Sequence, residues 1–243
     1  MYADKRVLVV IPARGGSTGV KLKNLREVGG VPLVARAAIV ARELGFADRI
    51  IVSTDHSKIA EVARSFGVDV PFLRPDDLSG PSVGDWEVLH HALTEMERLD
   101  SVTYDIIIML QPTSPSRTAK HVRDTVTQLA DNGFDAVWTV SETDSKGHPL
   151  KQLLVAENGE LQYYDPRGAA IVARQQLSPV YHRNGIAYAM TRSCLLDQKS
   201  IKGVRTGALI VLGDVVNIDT EFDLQLANFI FSRGLGSNGG TKQ

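Results

Sequence analysis

The sequence predicts an α/β fold, a mostly parallel sheet with helices on both faces, carrying a small inserted lobe. Three observations predict it. Continuous apolar runs at Val7–Val10, Arg49–Thr54 (RIIVST) and Asp105–Leu110 (DIIIML) mark strands buried on both faces. Stretches with helical spacing separate them, so strand and helix alternate four times in the first 140 residues. From Glu142 to about Tyr181 that alternation stops, and short strand-like pieces lie between polar loops.

Taken in order, Val7–Val10 is the first strand, and a glycine-rich loop follows it. Val28–Pro32 reads as a turn, and Leu33–Leu44 has helical spacing. Arg49–Thr54 is the second strand, Ser57–Phe66 a helix ended by Gly67, and Val70–Leu73 a short strand before the proline-bearing loop Arg74–Gly84. Asp85–Arg98 is helical, Asp105–Leu110 is a strand, and after QPTSPSR (111–117) a helix runs to about Asn132, followed by a strand at Ala136–Ser141. Inside the irregular stretch, Leu150–Val155 and Leu161–Tyr164 are strand-like. Alternation returns with Gly185–Met190 and Ala208–Leu212, and Asn217–Asp219 opens a last helix to Phe231. Thr220 with Asp223 three residues later has the pattern of a capping box. Residues 1–141 and 182–233 are expected to form the α/β domain, 142–181 the inserted lobe and 234–243 (GLGSNGGTKQ) a flexible tail.

Composition narrows the function. The 243 residues are 43% hydrophobic and 23% charged, long enough to bury roughly three quarters of the unfolded surface. A net charge of −1 argues against a general nucleic-acid or membrane-surface binder, so an anion site has to be a local cluster. The single Cys194 excludes an intrachain disulfide framework and a cysteine-rich zinc site. No apolar stretch approaches about 18 residues and no signal peptide is read at the start, so a cytoplasmic protein is expected.

The local cluster is the loop at 11–24, IPARGGSTGVKLKN. Arg14, Lys21 and Lys23 are cations, and Gly15, Gly16 and Gly19 let backbone N–H groups approach a ligand closely. Donors and fixed cations just after a strand suit a polyphosphate. The spacing is neither that of a Walker A loop nor GxGxxG. In open parallel sheets ligands bind beyond the carboxyl ends of the strands, and that is where this loop, Ser53–Asp55, QPTSPSR and Asn217–Asp219 all fall.

Eight stretches in order resemble bacterial CMP-sialic acid synthetases (acylneuraminate cytidylyltransferases). They are IPARGGSTGVKLKN, IIVSTD (50–55), LRPDDL (73–78), LQPTSPSR (110–117), HPLK (148–151), RQQL (174–177), RNGIAY (183–188) and NIDTEFDLQ (217–225). The resemblance runs over nearly the whole chain to about Phe231. It implies a Rossmann-like fold of the nucleotide-diphospho-sugar transferase type. It also implies that an acceptor oxygen attacks the α-phosphate of CTP, giving a CMP conjugate and pyrophosphate. A homodimer built through the 142–181 lobe is implied too, with no nucleic acid or membrane as partner.

Carried over residue by residue, the resemblance makes Arg14, Lys23 and Asp219 the catalytic set. Ala13, Arg14, Gly15, Gly16, Ser17, Lys23, Asn24 and Arg74 would hold the nucleotide, with Arg74 beside the cytosine. Gln111 and Tyr188 would contact a small anionic acceptor, with Lys151, Arg174 and Gln175 reaching in from the dimer lobe. Asp219 and Asn217 would bind Mg²⁺. Each assignment has a plainer counterpart: Lys151 and Arg174 as solvated surface charges, Asp219 as a helix cap, Gln111 and Asn24 as partners of local backbone.

The chain departs from the family pattern at Thr18 (usually Lys), Pro81–Ser82 (Asp-Thr), His182 (Arg) and Asn217 (Asp). Three readings follow. The first is a CTP-dependent cytidylyltransferase for a nonulosonic, sialic-like sugar acid. The second keeps CMP transfer but gives it a small phosphonate or phosphonocarboxylate acceptor. The third is a non-catalytic nucleotide-binding homologue, against which the joint presence of Arg14, Lys23, Asn24, Gln111 and Asp219 weighs.

Overall fold

In the computed structural model, which describes residues 1–234 and 241–242, the period-2 alternation of β1 (Val7–Pro12) sets up both layers. Val7, Val9 and Ile11 face one core and Leu8 and Val10 the other, all fully buried. After the loop comes a small hairpin, β2 (Glu27–Val28) and β3 (Val31–Pro32), closed by Gly29 and Gly30 at φ +58° and +73°. Helices α1 (Leu33–Arg42) and α2 (Ser57–Ser65) flank β4 (Arg49–Ser53). α1 buries Val34, Ala37, Ala38 and Ala41 on the first face. Its small alanines let the helix lie close to the sheet.

The second face is covered by α3 (Asp85–Asp100), which sets Leu89, Ala92, Leu93 and Met96 against Leu8 and Val10 and against Ile107 and Met109 of β5 (Ile106–Met109). Each such side chain taken fully out of water contributes about 1.5–3 kcal/mol. α4 (Ala119–Asn132), capped by Thr118 and ended by Gly133 in the left-handed region, packs on the first face and leads into β6 (Ala136–Glu142).

The lobe contains one hairpin, β7 (Leu153–Val155) with β8 (Leu161–Tyr163), and three short 3-10 turns. Then β9 (Tyr181–Thr191) and α5 (Arg192–Leu196) precede β10 (Thr206–Val211) and α6 (Glu221–Ser232). The expected capping box of Thr220 and Asp223 is present at the start of α6. β11 (Thr241–Lys242) pairs with β10, whereas 235–240 and 243, the rest of the expected flexible tail, lie outside the described residues.

The sheet order is β11-β10-β6-β9-β5-β1-β4. β4, β1, β5, β6 and β10 run the same way, and β9 runs against both of its neighbours. The sheet is thus mixed and mostly parallel. The reason for β9 is its connection. Strands that follow a helical crossover return parallel, whereas β9 follows the lobe, which carries no crossover helix, and comes back antiparallel beside β6. The stretch Val70–Leu73, expected as a strand, makes only isolated bridges, Ile51 to Asp69 and Thr54 to Leu73.

Candidate active site

A cavity of about 560 Å³ opens where the ends of β1 and β5 meet the start of α3 and the segment before α6. The loop after β1 is shaped by its own side chains. Ser17 Oγ accepts from the Lys23 amide (3.1 Å) and donates to the Val20 carbonyl (2.8 Å), and Leu22 turns the chain at φ +48°. Asn24, buried, donates to the Arg14 carbonyl at 2.9 Å and so ties the two ends of the loop together. Arg14 donates to the Gly80 carbonyl (2.9 Å), which fixes its position against the loop after Arg74.

Lys23 lies at the crossing with the C-terminal segment. Its Nζ donates to the Ile218 carbonyl (2.8 Å) and to Asp219 Oδ1 (2.9 Å), and its side chain is only 13% exposed against 67% for Asp219. The segment is held from the other side by the Ile218 amide, which donates to the Thr113 carbonyl at 2.9 Å. Asn217 Nδ2 lies 3.3 Å from Asp219 Oδ2. Asp219 does not cap α6, because Thr220 and Asp223 do that. Arg74 is buried beside the same cavity; burial lowers its guanidinium pKa, Asp55 opposes that shift, and Arg14 adds to it.

The opposite wall pairs Arg183, from the RNGIAY stretch, with an acidic residue that none of the eight stretches contains. Asp85, the first residue of α3, faces Arg183 at 3.6 Å. Burial raises its carboxyl above the usual range, while Arg183 and a hydrogen bond from Gln111 pull it back. Arg183 also stacks over Trp138, 5.4 Å from the ring centre. Asp85 is the residue sequence reasoning missed. An acidic residue directly after Gly84, opening the helix that follows the proline-bearing loop from Arg74, was the available signal.

Behind this wall Arg117 is fully buried and donates to the carbonyls of Gln111, Gly185 and Ile186. Those contacts link the loop after β5 to the irregular part of β9, where the register with β6 shifts beyond Trp138. Asn184 fills the shift, bonded to Thr139 Oγ1 (2.7 Å) and Ser141 Oγ (3.1 Å).

The structure thus brings Arg14, Ser17, Lys23, Asn24, Arg74, Gln111, Asn217 and Asp219 to one cavity, together with Asp85 and Arg183. Ala13 is buried beneath the loop. Gly15 does not present a free amide, because its N–H donates to Asp55 Oδ1 at 2.8 Å. Gly16 has open space around it. Tyr188, expected at the acceptor, is buried behind the wall, where its hydroxyl accepts from the Gly185 amide (2.8 Å) and its ring packs edge-on against Trp138. Lys151, Arg174 and Gln175 lie on the lobe and do not line the cavity; Arg174 borders a separate small recess with Glu142 and His148.

Gly19 is the loop glycine that the geometry demands. A Cβ there would lie 2.2 Å from the Asp219 carbonyl oxygen. Gly19→Ala is therefore expected to push the 217–219 segment away from Lys23 and to lower kcat/KM by about 10-fold or more. Gly16→Ala, with nothing nearby, should leave it within about twofold. Steady-state assays of both variants check this.

The family model described as Cytidylyltransferase matches residues 8–234. The chain is a cytidylyltransferase family member. Within that family it is 31% identical, over 91% of its own length and 94% of the relative's, to a CMP-N,N'-diacetyllegionaminic acid synthase from Legionella pneumophila. It is 26% identical to a pseudaminic acid cytidylyltransferase from Campylobacter jejuni, over 92% of this chain and 95% of that one. A CMP:2-keto-3-deoxy-manno-octonic acid synthetase solved with CTP shares the fold, with a TM-score of 0.70, 17% identity and 95% of this cytidylyltransferase covered against all of that chain. The protein is accordingly a nucleotidyltransferase that uses CTP.

Proposed function

We propose that this cytidylyltransferase moves CMP from CTP to a nonulosonic, sialic-like sugar acid and releases pyrophosphate. The observation that carries the reading is the meeting, in one cavity, of the Arg14–Lys23 loop with the wall of Gln111, Asp85 and Arg183. Names of relatives that act on legionaminic and pseudaminic acids support the acceptor class. An acceptor hydroxyl oxygen bonds to the α-phosphorus, the bond to the β-phosphate bridge breaks, and the hydroxyl proton goes to solvent. Arg14 and Lys23 offset the charge that grows on departing pyrophosphate, while Arg74 lies beside the cytosine.

Mg²⁺ fits this site as an ion carried in by the triphosphate. Among the described residues no group of three or more His, Cys, Asp or Glu side chains encloses a metal. Asp219 and Asn217 offer one carboxylate and one amide at the cavity edge, hard oxygen donors that suit an ion keeping several waters. Bound there, Mg²⁺ would neutralise phosphate charge.

A homodimer through the 142–181 lobe belongs to the same proposal, and its support is the apolar surface that the lobe exposes. Leu153, Leu154, Val155, Leu161, Tyr163 and Tyr164 are all outward-facing, Val155 by 72%. Lys151, Arg174 and Gln175 would then reach the neighbour's cavity. Sedimentation should give a dimer, and Val155→Lys with Leu161→Lys should give an inactive monomer of ordinary thermal stability. The CTP requirement supports a cytoplasmic site of action, and among the described residues no helix is long and apolar enough to cross a membrane.

The testing experiment is pyrophosphate release with N,N'-diacetyllegionaminic acid and N-acetylneuraminic acid, offered with CTP, UTP, ATP or GTP. Release with CTP well above the other three is expected. Equal turnover of UTP or ATP would overturn the nucleotide assignment.

A further inference from the structure

The cavity does not end at the wall opposite Lys23. A second, more open chamber of about 550 Å³ continues past it, sharing Asp85, Gln111 and Arg183 with the first and lined beyond them by Trp86, Glu87, Lys199 and Ser200. Asp85 therefore stands where the two chambers meet. Arg183 is 3.6 Å away, so the pair has no net charge; Asp85 is the carboxylate at the junction, beside the donors of Arg183 and Gln111, while Glu87 lines only the second chamber.

We infer that Asp85 is the specificity-determining residue for the acceptor: it accepts a hydrogen bond from a hydroxyl or amide N–H of a singly charged, polyhydroxylated acid, a bond that a small dianion without such donors cannot supply. The inference rests on the proposed CMP transfer and sharpens it. An acceptor long enough to lie across the junction brings neutral donors to Asp85. A small dianion brings oxygens that only accept, and so leaves the partly desolvated Asp85 carboxylate without a donor from the acceptor. In the rest of the cavity Arg14, Lys23 and Arg74 attract any anion, and the carboxylate there, Asp219, is paired with Lys23.

The test is the near-isosteric Asp85→Asn. In wild type and variant, kcat and KM are measured by pyrophosphate release with CTP and either N,N'-diacetyllegionaminic acid or 2-hydroxyethylphosphonate. Calorimetric titration of the same two acceptors into the CTP-loaded proteins reads affinity without turnover. Thermal midpoints control for folding, and Asp85→Ser replaces the variant if Asp85→Asn is unstable. A charge-assisted hydrogen bond lost from the acceptor predicts about 10- to 100-fold weaker binding and higher KM for the sugar acid. KM for CTP should stay within about threefold, and discrimination against the phosphonate should shrink. Unchanged affinity for the sugar acid in the variant, tighter binding of the phosphonate than of the sugar acid by wild type, or binding of neither would overturn the inference. Weakened sugar-acid binding without pyrophosphate release in either protein would support Asp85 while removing the proposed transfer. Turnover with unaltered acceptor affinity would do the reverse.

Discussion

Lys23→Ala is expected to lower kcat/KM for CMP transfer by about 10²-fold or more, most of it in kcat. The Lys23 ammonium is nearly buried, held by the Ile218 carbonyl and Asp219, and so stands preorganised at the point where the triphosphate loop meets the C-terminal segment. A fixed donor aimed at developing charge is worth about 10²–10³ in rate, because no reorganisation is needed when the charge appears. Losing the ion pair costs little stability, since Asp219 is largely solvated and such pairs contribute about 0–1 kcal/mol. A thermal midpoint within a few degrees of wild type is therefore expected beside the rate loss. Lys23→Arg should restore part of the rate. Activity falling only in step with unfolding would mean that Lys23 braces the loop and does not serve catalysis.

Arg117→Met should have the largest effect on stability, about 3–5 kcal/mol, or roughly 6–20 °C in thermal midpoint. Its guanidinium is out of solvent and satisfies three carbonyls, those of Gln111, Gly185 and Ile186. Burial lowers its pKa, the cost of holding a cation in the interior. Methionine fills comparable volume yet takes a donor from all three carbonyls, Gln111 keeping the Ser114 amide at 3.2 Å, and each buried orphan costs about 1–3 kcal/mol. Calorimetry and denaturant titration measure the loss. Residual folded protein should also show a raised acceptor KM, because Gln111 and the chain around Gly185 depend on Arg117 for position. A midpoint unchanged from wild type would show that water replaces the guanidinium without loss.

The strands and most helices were legible because burial leaves a local imprint. A strand covered on both faces has to be apolar at every position, as VLVVIP and IIIM are, and α1, α3 and α4 each carry their apolar residues on one side. The nucleotide loop was legible in part for a related reason: Ser17 and Asn24 bond within a dozen residues of Arg14, and the capping pair Thr220–Asp223 within four, whereas the demands on Gly19 and Lys23 come from Ile218 and Asp219 far along the chain.

Direction and partnership were not legible. Nothing in Gly185–Met190 says that the strand runs antiparallel between β5 and β6; that follows from the route of the lobe, a long-range property of the chain. Tyr188 sits in a motif beside site residues, yet alternation along β9 and the register shift at Asn184 send its ring into the core. Arg117 looked like the tail of a loop motif, and only the fold shows three distant carbonyls converging on it. Asp85 and Arg183 are 98 positions apart, and no local spacing could pair them. The sequence by itself determined the layers and the cationic loop, because those depend on composition and short-range pattern, and it pointed to the reaction class through its resemblance to a known family. The tertiary structure alone decided which wall faces Lys23 and what charge that wall presents, because electrostatic pairing depends on distance in space.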